Sequence, residues 1–208
     1  MVPWRNRQTR ATQNRDPMGS SPIGTTIRQK RRKKMSVIAA KVYDNRIDFA
    51  ADSITLRGYL KQTNGPAKLV AINGMVIGGC GLCEEISMMF RFAQTHHPET
   101  PTCRDVLAFF TEFLKWKPNG SSLQGNTVFL IGFKGHLFLI EDMFVSEIKD
   151  YVAIGAGRDY SLAALYLGHD PKDAVKVACD LSCYVSEPIV FISMDDFGIH
   201  GATDTWEG

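Results

Sequence analysis

Residues 36–53 read SVIAAKVYDNRIDFAADS. Two runs of strand-forming residues, SVIAAKVY and RIDFAADS, flank Asp44-Asn45, a dipeptide suited to a tight reversal, so the stretch predicts a β-hairpin. KLVAI and MVIGG repeat the arrangement about Asn73-Gly74. The period then changes. EEISMMFRFAQTH brings Ile86, Met89, Phe90 and Phe92 onto a mostly apolar helical face, Pro98 and Pro101 break it, and CRDVLAFFTEFLKW reads as a second helix. After the polar stretch PNGSSLQGN, strands resume as TVFLIGF and HLFLIED, joined at Lys134-Gly135, followed by YVAIG. DYSLAALYLG and DPKDAVKVACDLSCYV are two more helices, the second with Asp170 placed to cap it, and PIVFISM closes the series as a strand. Tight turns between consecutive strands make antiparallel sheets. Two such sheets with helix pairs outside them give an α+β fold, a four-layer αββα sandwich over residues 35–194.

Outside that stretch the composition shifts. Of the 24 Lys and Arg, ten lie in residues 1–34 against one acid, Asp16, which leaves 14 basic and 21 acidic residues beyond. The pI near 8.3 therefore belongs to the leader, and the mildly acidic remainder gives no charge argument for nucleic-acid binding. The leader lacks apolar periodicity and closes on RQKRRKK, a like-charge block expected to be disordered. A basic tail, a cleavable propeptide and upstream sequence read from a misplaced start codon are the three accounts. The last is favoured, because Met35 stands at the composition break. Residues 195–208 read as a loose polar tail. No apolar run approaches the ~20 residues of a membrane helix, and the basic start has no secretory h-region. Five cysteines, an odd number, point to a reducing cytoplasm. Cys80 and Cys83 with Cys179 and Cys183 could supply four thiolates. The second spacing is loose and the first pair sits in the apolar run VIGGCGLC, so packing is the favoured reading and no metal or cofactor is expected.

Three residues stand out chemically. Ser36 becomes the first residue if translation starts at Met35 and the initiator is trimmed. Asp52 ends a strand, and Lys68 opens one after Gly65-Pro66 and Ala67. Each alone has an ordinary reading as a chain start, a turn residue or a solvated strand end.

Their spacing is what resembles a known family. Asp52 lies sixteen residues after Ser36 and Lys68 thirty-two after it, without a gap. This resembles the proteasome β-subunit and HslV peptidases, the N-terminal nucleophile (Ntn) hydrolases. AADS at the acid, MVIGGCG before a helix that opens on acids, YVAIGAGRDYSLAAL, and ACDLSCYVSEPIVFISM extend the likeness over residues 36–194. Gly24-Thr25-Thr26 imitates the family's precursor cleavage point, but Lys41 and Arg57 stand where that register needs an acid and a lysine.

The resemblance implies the Ntn-hydrolase αββα fold and peptide-bond hydrolysis. Ser36 would be the nucleophile, Lys68 and Asp52 its electrostatic support, Gly81 the oxyanion donor, and Asp180 part of the group near the terminal amine. It also implies a homo-oligomeric ring acting on polypeptides and fed by an ATP-driven AAA+ unfoldase. Thr55, Val70, Gly79 and Cys83 would line the substrate pocket, with Gly79 making it roomy. A catalytically silent ring subunit is the alternative, along with a thiol or metal module at Cys80 and Cys83 and a nucleic-acid role for the leader. The sequence departs from the family in having serine for threonine, Gly155-Ala156-Gly157 for Gly-Ser-Gly, and Asp180-x-x-Cys183 for Asp-x-x-Ser, with Ser182 one place off.

Overall fold

The computed structural model describes residues 36–57, 60–62, 65–118, 123 and 127–201. The expectations for the leader, including Gly24-Thr25-Thr26, and for residues 202–208 fall outside these. The elements run β1 (Val37–Val42), β2 (Arg46–Asp52), β3 (Thr55–Arg57), β4 (Leu60–Gln62), β5 (Leu69–Ile72), β6 (Met75–Cys80), α1 (Cys83–Ala93) and α2 (Cys103–Trp116). They continue with β7 (Val128–Phe133), β8 (His136–Glu141), β9 (Phe144–Ile148), β10 (Tyr151–Gly155), α3 (Arg158–Tyr166), α4 (Pro171–Leu181), β11 (Ile189–Asp195) and β12 (Gly198–Gly201).

Two five-stranded antiparallel sheets carry the architecture. One has the order β10-β1-β2-β11-β12 and the other β5-β6-β7-β8-β9; β3 and β4 pair separately. Three apolar layers follow from the strand period of two. Along β1, Ile38 and Ala40 enter the layer between the sheets, whereas Val37 and Ala39 face α3 and α4. Along β7, Val128 and Leu130 face the first sheet, whereas Phe129 and Ile131 face α1 and α2. Both central strands are buried on two faces, which is why their sequences read as continuous apolar runs. The order is helix pair, sheet, sheet, helix pair, the sandwich expected from the sequence.

Local chemistry sets the boundaries. Asn73-Gly74 and Lys134-Gly135 both have positive φ at each position (48° and 72°; 47° and 76°), the turn form that matches strand twist. The α2 N-terminus is capped by Thr102, whose side chain accepts from the Asp105 N–H. Asp170 caps α4 by accepting from the Asp173 N–H at 2.8 Å, as its position predicts. The structure corrects the sequence reading at the edges. β12 builds residues 198–201 of the supposed loose tail into the first sheet, through pairs such as Met194 with Ile199. β9 extends the second sheet, and β3 with β4 forms a small hairpin.

The sheets meet where side chains of one enter glycine gaps of the other. A Cβ on Gly132 would lie 2.6 Å from Phe49 Cζ, and one on Gly78 3.0 Å from Ile38 Cδ1. Gly132→Ala should therefore overpack this contact and cost about 1–3 kcal/mol in urea denaturation. Phe49→Leu, which removes the far end of the ring, should relieve it, so the double variant is more stable than the sum of the two single effects predicts. Strict additivity would show that the two residues do not compete for this space.

Candidate active site

The site forms where β1 begins, because three chain segments end there together. β2 pairs with β1 through Ile38–Ala51, and one residue further Asp52 replaces the ladder with its side chain. Its Oδ1 accepts the Val37 N–H at 2.8 Å. Its Oδ2 accepts from Lys68 Nζ at 2.9 Å. Lys68 stands just before β5, in the other sheet, so this one carboxylate ties the two sheets together. The pair is buried, with side-chain exposures of 0% for Asp52 and 8% for Lys68. Burial pushes the Asp52 carboxyl above its ordinary value; the Lys68 ammonium and the N–H groups of Val37 and Ser186 pull the other way without cancelling it.

Ser36 is held by backbone. Its N–H donates to the Tyr184 carbonyl at 3.3 Å. Its carbonyl accepts from the N–H groups of Ala156 at 2.7 Å and Gly157 at 3.3 Å. The turn that supplies these donors needs its glycines. Gly155 has φ +95°, and a Cβ there would lie 2.3 Å from the Ser36 oxygen. A Cβ on Gly157 would meet Val185, Ala178 and Val37 at 2.8, 3.0 and 3.0 Å. Ser36 itself has φ +81°, uncommon for a residue other than glycine.

Ser36, Lys68 and Gly81 line one small cleft, together with Thr55, Cys83 and Ile86. Gly81 has φ +148°, in the region that favours glycine. The arrangement presents a hydroxyl, a buried ammonium held by a carboxylate, and a glycine backbone around one concavity, which are the parts an acyl-transfer site needs.

Four of the five proposed site residues thus converge: Ser36, Asp52, Lys68 and Gly81. Asp180 does not join them among the described contacts; it is exposed in the last turn of α4. Of the proposed pocket residues, Thr55 and Cys83 line the cleft. Val70 is fully buried in the layer under α1 and α2. Gly79 does not enlarge the cleft, because a Cβ there would lie 2.8 Å from Ile86, which occupies that space. Sequence reasoning missed Tyr184, whose role runs through its carbonyl and leaves no side-chain signal. Ser182 Oγ accepts the Tyr184 N–H at 3.2 Å and steadies that turn. Among the cysteines, Cys80 is buried in β6, and burial pushes the Cys179 thiol up to about 12. Among the described residues, no group of three or more His, Cys, Asp or Glu could hold a metal ion.

No protein-family profile and no curated protein matches the chain. Solved structures do. Thiobacillus denitrificans BPH in complex with epoxomicin superposes with a TM-score of 0.67 at 17% identity, over 76% of this chain and 98% of that one. A second structure of the same protein gives 0.64 at 18%, over 76% and 97%. Eukaryotic HslV from Trypanosoma brucei gives 0.60 at 18%, over 76% and 99%. The chain therefore shares the fold of these structures, the α+β sandwich of proteasome-like proteins that the sequence resemblance implies.

Two outcomes follow from the geometry. Because burial raises the Asp52 carboxyl above its ordinary value, the folded chain takes up a proton there at a higher pH than the unfolded chain does. The contribution of that carboxyl to stability is present at low pH and is lost as pH rises through the raised value. The stability of the wild type relative to Asp52→Asn should fall as pH rises above ~4, the ordinary range of an aspartate carboxyl, in denaturant titrations; a constant difference contradicts the raised carboxyl. Gly155→Ala should cost more than about 2 kcal/mol, because it combines a positive φ with a backbone clash at Ser36. A near-neutral effect would mean that the turn is not packed on Ser36.

Proposed function

We propose that the chain is an N-terminal-nucleophile endopeptidase of the proteasome and HslV type, with Ser36 as nucleophile. The observation that carries this reading is the buried Lys68–Asp52 pair, at 2.9 Å, whose lysine lines a cleft with Ser36 and Gly81. The reading needs residue 35 to be removed. Ser36 N then becomes an α-amine, with an ordinary pKa of ~7.7–8.0 that suits a base at neutral pH. The Lys68 ammonium favours the neutral amine and the developing alkoxide by charge. The amine takes the Ser36 hydroxyl proton, directly or through a water, and Oγ attacks the scissile carbonyl carbon. The carbonyl oxygen gathers negative charge, and the Gly81 N–H is the donor assigned to it. As the C–N bond breaks, the amine's extra proton passes to the leaving nitrogen. Water then attacks the Ser36 ester by the same route and frees the enzyme. None of these steps draws on a metal or an organic cofactor.

Exposed Tyr166 and Leu167 at the end of α3 and Leu181 at the end of α4 support assembly with further copies. The assembly is read as a ring in a reducing cytoplasm that takes polypeptides from an AAA+ ATPase. A silent ring subunit is the second reading. It is favoured by Ala156, which offers no hydroxyl beside Ser36, and by serine at the nucleophile position, whose χ1 is less restricted than that of threonine.

Intact mass and N-terminal sequencing of protein made from its own gene should show a chain beginning at Ser36. Sedimentation should show a particle larger than a monomer. On fluorogenic peptides, Ser36→Ala, Lys68→Ala and a single residue added before Ser36 should each nearly abolish hydrolysis, with combinations costing little more. Ser36→Thr should retain or raise activity, and Cys83→Ala should leave the chemistry largely intact. Full activity in Ser36→Ala or in the extended chain refutes the mechanism. A mature chain that keeps the leader favours the silent reading.

A further inference from the structure

A second buried ion pair lies directly behind Gly81, and the mechanism above does not use it. Lys117, at the C-terminal end of α2, donates through Nζ to Glu85 Oε1 at 2.9 Å, with side-chain exposures of 5% and 6%. The other oxygen of Glu85 accepts from the Thr127 hydroxyl at 2.6 Å. Thr127 is fully buried, and its Oγ1 in turn accepts the Leu82 N–H at 3.2 Å. Glu85 thus links Lys117 to the peptide next to Gly81 through three successive hydrogen bonds, and the Thr127 hydroxyl, polarised by donating to the Glu85 carboxylate, is the stronger acceptor for the Leu82 N–H. The backbone of Gly81 is pressed onto the same residue. A Cβ at Gly81 would lie 2.6 Å from both Thr127 Cα and Thr127 Oγ1.

Charge burial on this scale is weak as a source of stability, because desolvating both ions offsets most of their attraction. Its effect here is geometric. Glu85 belongs to the first turn of α1, Lys117 to the end of α2 and Thr127 to the entry of β7, so the network fixes three elements around one short loop. That loop carries the backbone donor assigned to the oxyanion, and such donors act only when they are held in place before charge develops.

Resting on the peptidase reading, we propose that Lys117, Glu85 and Thr127 form a positioning relay that orients the Gly81–Leu82 backbone, and with it the oxyanion donor. Their described hydrogen bonds run to one another and to the Leu82 N–H. Their loss should therefore act on the chemical step and leave ground-state binding alone.

The test compares Thr127→Val, which keeps the shape and removes the hydroxyl, with Thr127→Ser, which keeps the hydroxyl. Both are made in the mature assembly and checked for thermal unfolding. Thr127→Val should lower kcat by about 10²-fold, the scale of a misplaced oxyanion donor, with KM unchanged. The affinity of a peptide boronate, whose tetrahedral adduct places an oxygen at the same site, should fall in proportion to kcat/KM. The acid limb of the pH profile, which reports the terminal amine, should not move. Thr127→Ser should restore all three readouts to within a few-fold of wild type. Backbone hydrogen exchange across residues 80–86 should quicken in Thr127→Val and not in Thr127→Ser.

Equal boronate affinity in Thr127→Val and wild type overturns the proposal, as does a serine variant as impaired as the valine. A Thr127→Val effect confined to KM does so too. A wild type that cleaves no peptide refutes the peptidase reading instead. The exchange measurement then still decides whether the relay holds the loop, and unchanged protection overturns it.

Discussion

The Asp52 carboxylate binds the Val37 N–H with one oxygen and the Lys68 ammonium with the other, and the open end of the sandwich is organised by that division. Val37 lies at the start of the first sheet and Lys68 at the entrance to the second. Among the described residues the layer between the two sheets is filled by an apolar cluster, and apolar contact is non-directional and tolerates small slips. Here they are joined by hydrogen bonds that accept one geometry. The pair is costly to bury and weak as a stabiliser, yet either partner left alone would be an uncompensated charge in an apolar setting. The surrounding structure is therefore constrained to keep both, and the nearby ends of β1, β5 and β6 take their places relative to this contact.

Much of this was legible in the sequence because burial on two faces writes a strong pattern. The runs VIAAKV and VFLIGF could be read as strands without further help, and the Asn73-Gly74 and Lys134-Gly135 turns carry their own chemistry. The site triad was legible for a different reason. Ser36, Asp52 and Lys68 sit at element ends whose separation is set by strand and turn lengths, so a fixed spacing survives. What escaped was peripheral or indirect. β9 and β12 are edge strands with exposed residues such as Phe144, and edges are kept short and irregular in composition. Thr127, Lys117 and Glu85 come from separate elements brought together only by packing. Tyr184 acts through a carbonyl that every residue possesses. Asp180 is the converse case: its motif position suggested a role, and the end of α4 places it in solvent.

The two helix layers differ in how they meet their sheets. Between α1 or α2 and the second sheet lie Phe90, Phe92, Phe109, Phe110, Phe113 and Phe129, a thick aromatic filling with many tilted ring contacts. Between α3 or α4 and the first sheet lie Ala39, Ala50, Ala153, Ala164, Ala174 and Ala178. Small side chains allow close approach of backbone to backbone, and the Gly157 contacts show how near it comes. The nucleophile candidate sits on this thin side. Its place is fixed by main-chain atoms of the turn between β10 and α3 and of the segment after α4, and owes little to side chains that can change rotamer.

Ser36 carries a positive φ of 81°, and that angle is defined by the bond to the residue before it. A left-handed conformation costs an L-residue about 1–2 kcal/mol, a penalty that arises from crowding between its own side chain and the flanking peptide groups. A residue that begins a polypeptide has no preceding carbonyl and no such angle. The same pocket, the same Tyr184 carbonyl and the same paired N–H donors at Ala156 and Gly157 would hold it without that penalty. The geometry around Ser36 is thus more comfortable for a chain terminus than for a chain interior.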